Sequence, residues 1–118
     1  LLEATTQSLS SGKPVLLLAY DATFPEPLFA LRPIPYPLGV AMVLNPVKSS
    51  SARAQLTLDL STSEASKMSD NELEMLRISI PAARSLPLIQ LLAQGNSGSV
   101  VIDYLEPLNL SIGVHCAV

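Results

Sequence analysis

The sequence predicts an α/β fold, a layered sheet flanked by helices, and three observations carry that expectation. A helical stretch closed by Gly12 runs into the apolar segment 15–20, a second apolar segment follows at 38–45, and a later helix closed by Gly95 leads into two alternating segments. With 118 residues and 48% hydrophobic content, the chain has the length and apolar material of one domain with a real core, so residues 1–118 read as a single, partial domain.

Residues 1–11 read as the first helix, with Leu2, Thr5, Thr6 and Leu9 on one face and Gly12 as the stop. No Ser, Thr, Asp or Asn stands ahead of its first turn to cap it, and a helix that opens so abruptly reads as part of a larger whole. Segment 15–20, VLLLAY, is apolar at both parities, the pattern of a strand covered on both sides. Unless something covers its edge, such a strand is an aggregation hazard.

Residues 21–37 hold five of the ten prolines, at 25, 27, 33, 35 and 37, and proline removes ladder donors, so this stretch reads as a long ordered loop. Phe24, Leu28, Phe29, Leu31, Ile34 and Tyr36 make it greasy, so it is expected to pack on its own sheet or on a partner. Segment 38–45, LGVAMVLN, reads as a second buried strand ended by Pro46.

From 52 to 61 strict alternation sets in, with Ala52, Ala54, Leu56, Leu58 and Leu60 on one face and polar residues on the other, so this strand is half exposed. Residues 61–72 are a polar, turn-rich loop in this reading, open to motion, from which Asp70 caps a short helix running to Arg77. Segment 86–94 is a helix with Pro87 in its first turn and Leu88, Leu91 and Leu92 on one face. Strands 99–104 and 108–114 then form a hairpin around Glu106-Pro107.

The composition narrows the function. Only 14% of residues are charged and the net charge is -3, which removes the basic footprint that nucleic acid requires. Low charge on an apolar chain leaves much apolar surface, which points to a protein partner. The longest uninterrupted apolar run, 15–19, falls far short of the roughly 20 residues that span a bilayer, and no charged-then-apolar leader opens the chain. A lone cysteine, Cys116, forms no internal disulfide. The expectation is a cytoplasmic protein with no membrane span and no cofactor.

Chemistry-bearing residues are sparse. His115 and Cys116 are adjacent and each the only one of its kind, yet neighbours on a strand point to opposite faces, so the imidazole does not reach the thiol. The reading is a surface-facing His and a core-facing Cys, and this pair cannot close a tetrahedral metal shell. Glu64, Asp70, Glu72 and Glu74 cluster beside a hydrophilic loop and read as a solvated face. Asp21 ends the first apolar strand, where ligands gather in α/β sheets, although a turn-forming role is the simpler reading. Ser97 reads as a turn serine, and neither a glycine-rich phosphate loop nor a Gly-x-Ser-x-Gly elbow occurs.

Taken as a block, LLEATTQSLSSGKPVLLLAYDATFPEPL at 1–28, LGVAMVLNP at 38–46 and AARSLPLIQLLAQGNSGSV at 82–100 resemble the β-ketoacyl synthase-like proteins of bacterial aryl-polyene pathways, relatives of ketosynthases and chain-length factors. The resemblance covers nearly the whole chain and is most specific over residues 1–28. It implies a partial thiolase-like fold, the C-terminal part of the N-terminal domain, in which the first helix follows the nucleophile position and leads into core strands. In active ketosynthases the nucleophilic cysteine lies just ahead of that helix and two catalytic histidines lie in a later half-domain. Neither region is in this sequence, and His115 stands in no such histidine motif, so no catalytic residue is carried over.

The role implied is that of a non-catalytic, chain-length-factor-like subunit in acyl-carrier-protein-linked fatty-acid or polyketide elongation. Its partner would be a ketosynthase subunit or a second copy, giving a dimer. Phe24, Phe29, Leu31 and Tyr36 are the candidates for lining the acyl tunnel or the interface. Two alternatives stand beside it: a truncated condensing enzyme whose cysteine lies upstream of Leu1, and a small α+β binding module with a greasy loop.

Overall fold

A computed structural model describes residues 1–116. The architecture is α/β, but the strands form two small antiparallel sheets, and thiolase-like layering is not resolved in it. The first sheet is a two-stranded ribbon of β1 (Val15–Asp21) and β2 (Leu38–Leu44), paired from Val15 opposite Leu44 to Asp21 opposite Leu38. The second has three strands, β3 (Ala54–Ser61), β4 (Gly98–Leu105) and β5 (Leu108–Cys116), with β5 in the middle.

Helix α1 (Leu2–Ser11) ends at Gly12, whose φ of 66° is the left-handed conformation that favours glycine there. Its inward side carries buried Ala4 and Ser8 with Leu2 and Thr5 half-buried, whereas Thr6 and Leu9 point to solvent, so the expected Leu2/Thr5/Thr6/Leu9 face holds for its first two members and is corrected for the other two. Small residues face inward because the helix lies close on the ribbon. The Ser8 hydroxyl is satisfied there by the carbonyls of Lys13 at 2.9 Å and Leu44 at 3.4 Å.

The three-stranded sheet carries the main core. Leu88, Val100, Leu110, Ile112 and Val114 form one buried cluster, joined by Met42 from the ribbon and by Leu91 and Leu92. Alternation on β5 is why: Leu110, Ile112 and Val114 all point to the helix-covered side. Helix α4 (Leu86–Gln94) supplies that cover, with Pro87 in its first turn and Gly95 closing it at φ 67°. A 3-10 helix, Pro81–Ser85, precedes it, and a second cluster of Ile34, Ile80 and Ala83 joins this region to the ribbon side.

Two expectations give way. Residues 21–37 are not loop throughout, since Leu28–Leu31 turn once as a short helix, α2. The polar loop after β3 is tethered at Ser66, whose N–H donates to the Val101 carbonyl at 2.8 Å and whose Oγ accepts from the Val101 N–H at 2.9 Å. Most consequentially, β1 and β2 are covered on one side only. Their side chains alternate between half-buried and exposed, because α1 and the 3-10 helix reach one face and nothing described lies on the other.

Helix α3 (Asn71–Ser79) forms where Asp70 suggested it, with Asp70 Oδ1 accepting from the Leu73 N–H at 2.9 Å. The β4–β5 hairpin turns at Glu106–Pro107, a cis peptide bond, and shifts register between Asp103 and Leu105.

Candidate functional site

The titratable residues singled out from the sequence do not converge. His115 lies on the exposed side of β5 opposite Gln55. Cys116 points the other way, joins the rim of the main core, and donates its thiol to the Asn96 carbonyl at 3.2 Å. Its N–H donates to Ser97 Oγ at 3.0 Å, so Ser97 ties the β5 end to the turn after α4. Among the described residues no group of three or more His, Cys, Asp and Glu is close enough to hold a metal ion.

Asp21 is a structural anchor. At the end of β1 its Oδ2 accepts from the Ala82 N–H at 2.6 Å, satisfying one of the free donors that open the 3-10 helix. The acidic cluster divides in the same spirit. Asp70 caps α3, while Glu74, expected on a solvated face, is clamped: Arg77 grips it twice, Nη2 to Oε1 at 2.6 Å and Nε to Oε2 at 2.8 Å. The Met68 N–H also donates to Glu74 Oε2 at 2.7 Å, and Arg77 Nη1 reaches Asp103 at 3.3 Å. The Arg77 hydrogen bonds, with that of Met68, lower the Glu74 carboxyl from 4.5 to about 2, and Glu74 in turn raises the Arg77 pKa. The network pins the segment before α3 to β4, an architectural task.

Two surface features remain. An open groove of about 670 Å³ lies between residues 62–64 and the β4–β5 turn, bordered by Arg84, Asp103 and Asn109. Its polar lining faces solvent. The other is apolar and lies on the uncovered ribbon face, a furrow of about 360 Å³ bounded by Leu18, Tyr20, Gly39 and Ala41. Sequence reading missed this face because apolar residues at both parities gave no signal of which side stays open.

The proline-rich segment adds to the apolar surface. Thr23 Oγ1 donates to the Ile34 carbonyl at 3.0 Å and the Ile34 side chain is buried, which fixes the segment's middle. Phe24, Leu28, Leu31 and Tyr36 are left exposed, while Phe29 is half-buried. Of the four interface candidates, three therefore lie at the surface and one is partly engaged inside.

The fold and surface thus define an α/β chain whose distinguishing features are apolar faces. Compared with known proteins, it matches no protein-family model, no curated protein and no solved structure. No described helix is long and apolar enough to cross a membrane.

Proposed function

We propose that this chain is a non-catalytic, chain-length-factor-like subunit that docks on a ketosynthase in acyl-carrier-linked chain elongation of the aryl-polyene type, in the cytoplasm. The observation that carries the reading is the anchored, proline-rich segment that holds Phe24, Leu31 and Tyr36 outward. Exposed large aromatic and aliphatic side chains on a backbone already fixed by proline lose little entropy on binding, which suits a protein interface or the wall of an acyl tunnel. The resemblance of residues 1–28, 38–46 and 82–100 to β-ketoacyl synthase-like proteins supplies the class of partner. The separation of His115 from Cys116 on opposite faces of β5 is in keeping with a subunit that shapes a product and leaves the condensation to its partner.

The test is co-expression with a ketosynthase of an aryl-polyene pathway and its acyl carrier protein. The expected result is co-purification, a shift in product chain length, and at least about ten-fold weaker association for Leu31→Asp and Tyr36→Asp, as for interface anchors. Condensation by this chain alone, or an unchanged product distribution, would overturn the reading.

A further inference from the structure

The outer face of the β1–β2 ribbon is a different surface from the proline-rich segment and calls for an occupant of its own. Six side-chain positions make it up, in three cross-strand pairs: Leu16 opposite Val43, Leu18 opposite Ala41 and Tyr20 opposite Gly39. None is charged. Leu16, Leu18, Tyr20 and Val43 are 61%, 67%, 73% and 68% exposed. We propose that this face is the seat of a second copy of the chain, packed face to face about a two-fold axis lying between the sheets and parallel to the strands.

The distribution of bulk selects both the occupant and the axis. Every large member of the three pairs is on β1 and every smaller one is on β2, which makes the face a ridge beside a furrow. The furrow lies open beside Tyr20, whose ring edge is 3.8 Å from where a Cβ on Gly39 would sit. A two-fold axis along the strands exchanges the lateral positions of β1 and β2 and keeps their height. Leu16 of one copy then faces Val43 of the other, Leu18 faces Ala41, and Tyr20 faces Gly39. Ridge enters furrow at the Leu18 and Tyr20 levels, and at the third level Leu16 packs against the smaller Val43, as interdigitating sheet faces require. An axis across the strands sets ridge on ridge and furrow on furrow, leaving a clash beside a void. The face is self-complementary in one arrangement only, the condition for a closed isologous dimer.

The area agrees. Four exposed side chains of these sizes present on the order of 500 Å² of largely apolar surface, toward the upper end of the largest patch on a monomer and over half of the roughly 800 Å² a side of a stable interface. The absence of charge removes the desolvation cost that would oppose burial.

Sedimentation equilibrium of the chain alone, with no ketosynthase present, tests the proposal separately from the functional reading. The expected mass is twice the 12.5 kDa of the chain. Ala41→Leu fills the furrow at an exposed position and is expected to weaken the dimer at least ten-fold with an unchanged circular dichroism spectrum. The exchange Leu18→Ala with Ala41→Leu moves ridge and furrow together and is expected to restore it. A monomer at every concentration would overturn the proposal and leave the face to another segment or another protein. So would assemblies larger than a dimer, a dimer indifferent to Ala41→Leu, or an exchange variant no tighter than the single one.

Discussion

Glu74 shows what a single residue does in this chain. Its carboxylate accepts from Arg77 and from the Met68 N–H, and this holds its pKa at about 2 against the ordinary 4.5. A folded-state pKa below the unfolded value contributes stability that is fully present above about pH 4.5 and is lost as the pH falls toward 2. The melting temperature of the wild-type chain is therefore expected to fall more steeply between pH 5 and pH 2 than that of Glu74→Gln, the two curves converging at the acid end. Parallel curves from thermal melts would remove the clamp from the account. At this scale the sequence was legible in part. Asp70 announced itself as a cap by its place ahead of a helical segment, but Glu74 looked like its solvated neighbours Glu64 and Glu72. The difference lies in the Arg77 side chain one turn on and the Met68 N–H six residues back, which the path of the chain into α3 brings onto the one carboxylate, and spacing alone does not single that carboxylate out.

At the scale of the element, spacing did most of the work. Gly12 and Gly95 marked both helix ends, and the alternation of Leu110, Ile112 and Val114 marked the inward face of β5. Spacing failed where apolar residues stood at both parities. Segment 15–20 reads as covered on both sides because a pattern records what a side chain tolerates, and only the tertiary arrangement of α1 and the 3-10 helix decides which side is covered. Leu9 misled for the opposite reason: an apolar residue on a surface helix is common, and close packing on the ribbon favoured Ala4 and Ser8 inside. For α3, Asp70→Ala is expected to cost about 1 kcal/mol by removing the acceptor for the Leu73 N–H, whereas Asp70→Asn, an equally good cap, changes stability little. Urea midpoints of the two variants distinguish a capping role from a general charge effect.

At the scale of the whole molecule, stability is concentrated in the three-stranded sheet. Ile112 is fully buried at the centre of β5, between β3 and β4. Ile112→Ala is expected to cost about 3–4 kcal/mol, a large share of the 5–15 kcal/mol that domains possess, because the cavity opens where both neighbouring strands are fixed. Denaturant titration would show a midpoint shift far larger than that of Ala41→Leu, whose side chain sits outside this core. The ribbon, by contrast, has two strands only and is held by α1, by Met42 and by the Asp21 grip on Ala82. That contrast explains how much function was legible: the composition announced apolar surface, while the identity of the faces needed the fold.

The Ser66 pairing with Val101 has a consequence for how this chain meets others of its kind. On the outer margin of β4 that one residue takes up both the donor and the acceptor of Val101, through its own N–H and its hydroxyl. A foreign strand seeking to extend the sheet there meets the donor and acceptor of Val101 already taken, which interrupts strand addition at the middle of β4. The guard is local: β3 and the two ribbon strands are edges as well, so this one margin of the larger sheet is the one kept from backbone templating at its middle.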